Sequence, residues 1–240
     1  VRRTGHHCQR RAGGGVGKVD IKNTVEAFVR GASLTANDEV NLDADSQHYA
    51  QPDIAGFAAS TGVGSAVVSA DAIVRGATRA YLDGTSTVTS AGALDVTADS
   101  DAYADPQGLA AGVGLGAGVG VTDFYAEVTR ETAAYVGTRA GGAVATTVLN
   151  LGSHQLNLHA DANLNATSDS TALGFSLGIG ATDSLSIALV QGTTLAYVGE
   201  GATVNAGGVL IDAVSVDNAT TNSDVFSVGG LAAINNSKSN

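Results

Sequence analysis

Ala80-Tyr81-Leu82 is one of four versions of the same tripeptide, which returns as Ala27-Phe28-Val29, Ala134-Tyr135-Val136 and Ala196-Tyr197-Val198. The aromatic residue stands at 28, 81, 135 and 197, in steps of 53, 54 and 62. A second landmark keeps the same phase: Leu42-Asp43-Ala44-Asp45, Val96-Thr97-Ala98-Asp99, Leu158-His159-Ala160-Asp161 and, degraded, Ile211-Asp212-Ala213-Val214. Its steps are 54, 62 and 53. Two landmarks that move together define one unit of about 54 residues copied four times, with roughly eight residues inserted between Tyr135 and Leu158. The fold question therefore concerns one unit and the way its copies stack.

Each unit reads as β-structure. In residues 94–105, Leu94, Val96, Ala98, Ser100, Ala102 and Ala104 alternate with Asp95, Thr97, Asp99, Asp101, Tyr103 and Asp105, which predicts a strand with one buried face and one wet, acidic face. The first copy places Leu42, Ala44 and Ser46 inward and Asp43, Asp45 and Gln47 outward, and the third repeats the pattern with Leu158, Ala160 and Ala162 inward. Runs of small residues follow at 55–68, 108–121, 172–187 and 225–234. Gly weakens a lone strand, so its place at nearly every second position of 109–120 predicts a second backbone approaching closely there. Another alternating segment, Phe124, Ala126 and Val128 against Tyr125, Glu127 and Thr129, leads into the next aromatic tripeptide. A turn glycine then follows, at 31, 84, 137 and 199. One unit holds roughly four or five strand segments and no helix, because Gly and β-branched residues are poor helix formers and 3.6-residue periodicity is lacking.

These features predict an all-β, repetitive β-solenoid, parallel β-helix-like, built from four units at about 24–77, 78–131, 132–192 and 193–240. The alternative is a set of antiparallel β-meander or sandwich repeats. The solenoid is favoured because stacking like on like is what makes a repeated side chain useful. In it, Phe28, Tyr81, Tyr135 and Tyr197 form an aromatic column, and the insertion, placed near Ser153, bulges out as a loop. A unit this long exceeds the common coil, so either several coils make one repeat or the strands are unusually long; the expectation is that several coils separate equivalent positions.

Composition bounds the function. Aromatic residues make up 5%, and there is no Met or Trp, so the interior is built from Ala, Val, Leu, Ile and Gly. Net charge is −11, and five of the twelve basic residues fall in the first 18, leaving seven against twenty-three acidic residues beyond them. That balance excludes a nucleic-acid partner, since phosphate binding needs the opposite sign. Residues 1–18 read as a basic, Gly-rich, disordered leader without the apolar stretch of a signal peptide. Its run Gly13-Gly14-Gly15-Val16-Gly17-Lys18 falls short of a phosphate-binding loop, because Val19 stands where a Ser or Thr must reach magnesium. His6, His7 and Cys8 lack the fourth ligand and folded frame a metal site needs. No apolar run is long enough for a membrane-spanning helix.

The aromatic tripeptide, its glycine turn, the segment Val88-Thr89-Ser90-Ala91-Gly92-Ala93-Leu94-Asp95-Val96-Thr97-Ala98 and the Gly/Ala/Val run together resemble the β-strand repeats of large bacterial exoproteins, the leukotoxin-type filamentous adhesins. The resemblance covers about residues 20–240. It implies a secreted or cell-surface passenger used as a stalk or attachment surface, with partners that are host or neighbouring-cell surface molecules or other copies of the repeat. It implies no catalytic residues and no cofactor.

Two other classes compete with this reading. A calcium-binding β-repeat would use the repeated acidic position, making Asp45, Asp99 and Asp161 the candidate metal ligands. The glycine-aspartate nonapeptide of calcium-binding β-rolls is absent, however. A polysaccharide-active β-helix enzyme would need carboxylates that depart from the repeat, whereas here the Asp residues mostly follow it. With several coils between equivalent positions, the three carboxylates are expected to be merely solvated.

Overall fold

The computed structural model describes residues 14–240. The first coil comprises β1 (Gly15–Arg30), β2 (Ser33–Ala36), β3 (Val40–Ala50) and β4 (Asp53–Ser60), and the second β5 (Val63–Asp83), β6 (Ser86–Ser90), β7 (Leu94–Ala104) and β8 (Gln107–Gly114). In the third, β9 (Ala117–Val136) and β10 (Thr147–Asn150) lead to a single β11 (Gln155–Ser176). The fourth has β12 (Ile179–Val198), β13 (Ala202–Asn205) and β14 (Gly208–Gly229), after which β15 (Ala232–Ser239) opens a fifth turn. Among the described residues there is no helix, and every pair of these strands is parallel. The chain is a parallel β-solenoid with two long sheets, β1-β5-β9-β12-β15 and β3/β4-β7/β8-β11-β14, joined on one side by the short sheet β2-β6-β10-β13. Antiparallel repeats are excluded.

Each unit is one wide coil, which corrects the expectation of several coils per repeat. The register pairs Phe28 with Tyr81, Tyr81 with Tyr135 and Tyr135 with Tyr197 directly. The length goes into the strands. The end of the small-residue run, the second alternating segment and the aromatic tripeptide fuse into the 21 residues of β5, because no Pro or turn residue interrupts them. Of its two glycines, Gly64 and Gly76, the second adopts φ 131° without leaving the ladder.

The array also starts earlier than Val19: Gly15–Lys18 belong to β1, and Lys18 pairs with Asp71 at 3.8 Å across the coil boundary. A strand there leaves no phosphate loop. His6, His7 and Cys8 lie outside the described residues.

The interior tapers. Beside the short sheet it is filled by Leu82, Val88, Leu94, Val136, Leu149 and Leu156, farther along by Ala72, Val74, Ala102, Val128 and Leu164, and near the opposite turns by Ala66, Val68, Ala70 and Phe124. At the thin edge the sheets meet backbone to backbone. A Cβ on Gly112 would run into the carbonyl of Val119, and one on Gly118 into that of Phe175, so these positions take Gly for want of room. This is the close approach that the glycine spacing predicts.

The insertion is not near Ser153. Residue offsets between the second and third coils change from 54 along β9 to 61 at β10 and 62 along β11, so seven of the eight extra residues lie between Val136 and Thr147. The segment closes over the outer face instead of bulging away. Thr138 bridges to Glu200, and Arg139 pairs with Glu131.

Candidate functional site

The repeated aromatics form the predicted column on the outer face of the long sheet. Ring centroids are 5.3 Å apart for Phe28 and Tyr81, 4.9 Å for Tyr81 and Tyr135, and 5.2 Å for Tyr135 and Tyr197, all within 9° of parallel. Arg30 lies over Tyr81 at 5.2 Å and donates to its hydroxyl at 3.2 Å. Tyr81 and Tyr135 are each only 2% exposed, although they point away from the interior. Burial, with the neighbouring phenols second, pushes the Tyr135 hydroxyl well above its ordinary pKa. Beside the column, Arg79 grips Glu131 through two hydrogen bonds of 3.0 Å and reaches Glu26 at 3.2 Å, tying three coils together.

The acidic position forms a column as well. Asp45 pairs with Asp99 and Asp99 with Asp161, in register on the outer face of β3, β7 and β11. This overturns the solvated, widely separated arrangement that a several-coil unit implied. Burial pushes the Asp99 carboxyl up, and the charges of Asp101, Asp161, Asp45 and Asp43 push it further. Acids on either side have amide partners from the next coil: Asn157 donates to Asp95, and Asn163 to Asp101 at 3.2 Å. Gln51 and Gln107 both donate to Asp105, at 3.1 and 2.8 Å. Among the described residues no amide reaches Asp45, Asp99 or Asp161. Nor does any group of three His, Cys, Asp or Glu side chains converge in the manner of a metal site. The three carboxylates stand in line, so a cation could bridge neighbours only in pairs.

The thin edge is apolar on its outside. An open groove of about 700 Å³ crosses the coil boundaries there, lined by Val113, Leu115, Phe175, Leu177 and Val228 among others. Phe57, Leu177 and Leu231 extend the apolar surface along the axis at 66%, 73% and 86% exposure.

One interior site was not anticipated. Arg130 is 3% exposed and points into the solenoid, where Nε donates to Ser100 Oγ at 3.0 Å and Nη2 to Thr78 Oγ1 at 2.9 Å and Ser46 Oγ at 3.2 Å. No carboxylate of the described residues pairs with it, and burial lowers its pKa to about 10. His48 is buried nearby with Nδ1 unpartnered, and its pKa is lowered to about 4 by burial and then by Arg130. The signal was present in parity, since Arg130 follows Phe124, Ala126 and Val128 on the inward face. The equivalent positions Gly76 and Gly192 on either side leave room for its stem.

No helix among the described residues is long and apolar enough to cross a membrane. No protein-family model, no curated protein sequence and no solved structure matches the chain.

Proposed function

We propose that this chain is a structural and adhesive segment of a large bacterial surface or secreted protein, like the filamentous adhesins whose repeats its sequence resembles. The observation that carries the reading is the one-coil register, which repeats each surface feature along a single axis. A rod built this way supplies reach, and its apolar edge offers one long contact strip instead of a single pocket; exposed apolar strips of this kind mark interaction surfaces. The acidic outer faces keep such a rod soluble. Beads coated with the chain should attach to host or bacterial cells, and attachment should fall when Phe57, Leu115 and Leu177 are all changed to Asp. These outward side chains can change without disturbing the interior. Uncoated-level attachment by the wild-type chain, or equal attachment by the variant, refutes the reading.

A second reading, calcium binding, is favoured by the unpartnered Asp45-Asp99-Asp161 column. Calcium takes oxygen ligands in flexible geometry, and a divalent ion between adjacent carboxylates would remove their repulsion. In that reading the ion stiffens the rod and takes no part in chemistry.

A further inference from the structure

Asp105 and Pro106 make the corner between β7 and β8, inside the array. The sequence has two prolines and this is its one Asp–Pro bond; the equivalent corner reads Gln51–Pro52 in the first coil and Thr167–Ser168 in the third. The backbone on both sides is pinned. Asp105 N–H donates to Ala50 O at 2.8 Å, Gln107 N–H to Pro52 O at 3.0 Å, and Pro106 O accepts from Asp169 N–H at 3.1 Å. The side chain is pinned at one oxygen only. Oδ2 accepts from Gln51 at 3.1 Å and from Gln107 at 2.8 Å, whereas Oδ1 is buried and has no partner among the described residues. A structural carboxylate would avoid the cost of such an unpaired oxygen.

An aspartyl oxygen can attack the carbonyl carbon of its own residue, because Oδ1, Cγ, Cβ, Cα and that carbon close a five-membered ring. Where the next residue has an N–H, its nitrogen competes by attacking Cγ and forming a succinimide; proline has none, so only the attack on the carbonyl is open. The proline nitrogen belongs to a tertiary amide and donates no ladder hydrogen bond, so its departure breaks none. The reaction uses the protonated acid, whose proton the departing nitrogen takes. Burial is the largest influence on the Asp105 carboxyl and raises its pKa; Gln107 and Gln51 pull it back and the Asp169 carboxylate, on β11, pushes it up again, which leaves it above the ordinary value.

We propose that the folded chain cuts itself between Asp105 and Pro106. Asp105 Oδ1 attacks the Asp105 carbonyl carbon, the C–N bond to Pro106 breaks, and the carboxyl proton passes to the proline nitrogen, which leaves as a secondary amine. The cyclic anhydride left on Asp105 takes up one water and opens to two carboxyls. The net reaction is hydrolysis of one peptide bond, and water is the only other reactant. The fold contributes by restraining the side chain through Oδ2 and the backbone through its ladder bonds, which removes rotational freedom that an unfolded chain would have to lose. Strands β4, β5, β6 and β7 before the cut pair with β8, β9, β10 and β11 after it, so the nicked rod stays in one piece. The inference is independent of what the outer surface binds.

Intact-mass spectrometry of the full chain tests it, folded and in 8 M urea, between pH 4 and pH 7.5 at 37 °C. Fragments 1–105 and 106–240 should appear at least about tenfold faster from the folded chain than from the unfolded one at the same pH. The rate should fall as pH rises, with a midpoint above that of the unfolded chain, because the acid form reacts and its pKa is raised only in the fold. The cut chain should elute from a sizing column as one species and separate only in urea. Asp105→Asn should stop the cut, and Pro106→Ala, which keeps the acid but restores an N–H, should slow it at least about tenfold. A folded chain that stays whole at every pH, one cut no faster than in urea, or an undiminished cut in Asp105→Asn overturns the inference; the second result would leave only the ordinary acid lability of an Asp–Pro bond. The comparison of folded with urea-unfolded protein uses the wild type alone, so it decides the matter even where a variant fails to fold.

Discussion

Tyr81 and Tyr135 stand one coil apart with their rings parallel to within 1° and their centroids 4.9 Å apart. That distance is the spacing between neighbouring strands, so the backbone register alone sets the ring separation. Parallel rings at this separation lie within the range over which aromatic pairs attract. The aromatic tripeptide recurs in sequence because each ring is the packing surface of the next.

Tyr135→Ala should cost about 3–4 kcal/mol, since it empties a buried site between two rings. Tyr135→Phe should cost far less, because the hydroxyl takes part in none of the hydrogen bonds that hold the column. Phe28→Ala should cost under about 1 kcal/mol, its ring being half-exposed at the end of the stack. Denaturant midpoints measure all three. Equal losses for Tyr135→Ala and Phe28→Ala would mean that the column does not stabilise the coils.

Arg130→Met should raise the melting temperature, with a gain of about 1–3 kcal/mol, because a buried cation without a carboxylate is replaced by an apolar chain of similar reach. Ser46, Thr78 and Ser100 keep partners in the variant: the Ser46 and Thr78 hydroxyls are already 2.6 Å apart, and Ser46 donates to Ser100 at 3.3 Å. Arg130→Ala should instead destabilise by leaving a cavity. A melting temperature lowered equally by both variants would show that the guanidinium itself holds the three coils in register.

His48 carries a pH dependence. Its folded pKa is depressed from 6.5 to about 4 by burial and by Arg130, so between those values the unfolded chain binds more protons than the folded one. Stability therefore rises with pH through that window and is lost as pH falls from about 6.5, by up to roughly 3 kcal/mol at the acid end. Comparison with His48→Gln at pH 5 and pH 6.5 separates the imidazole from every other group that titrates there. Urea midpoints at those two pH values should differ for the wild type and coincide for His48→Gln; parallel slopes would assign the effect elsewhere.

Much of this was legible in residue numbers. The period, the strand faces, the aromatic column and the close backbone approach at the glycines all follow from alternation and spacing, because a strand's side chains have a period of two and a stacked coil repeats its own register. The coil size was not legible. Sequence marks a turn only where it needs Gly or another breaker, and nothing distinguishes a pause within a strand from a corner between strands; Gly76 lies inside β5, whereas Gly84 ends it at φ 73°. The place of the insertion was missed for a similar reason. Landmarks at Tyr135 and Leu158 bracket it without locating it, and only the β10 register does so. Arg130 could have been found by extending the alternation two residues, had the expectation of an apolar inward face not hidden it.

The Asp45-Asp99-Asp161 column makes the last prediction. Unit charges about 4.8 Å apart repel by roughly 1 kcal/mol in water and by several times that at an effective dielectric near 20, so two such contacts at Asp99 oppose the fold. The sign agrees with its pKa. A carboxyl raised in the folded state binds protons more readily there than in the unfolded chain, so its repulsion is absent at low pH and develops as pH rises through the folded pKa. Asp99→Asn should therefore stabilise the chain at pH 7 in the presence of chelator by about 1 kcal/mol, giving Asp45 and Asp161 an amide like those that Asn157 and Asn163 offer their neighbours. The gain should vanish near pH 3. Millimolar calcium should raise the wild-type melting temperature and leave the variant unmoved if the ion bridges adjacent carboxylates. Stabilisation by Asp99→Asn with no calcium response in either protein would keep the repulsive column and remove the metal, whereas a variant that melts with the wild type in chelator would show that solvent alone screens these charges.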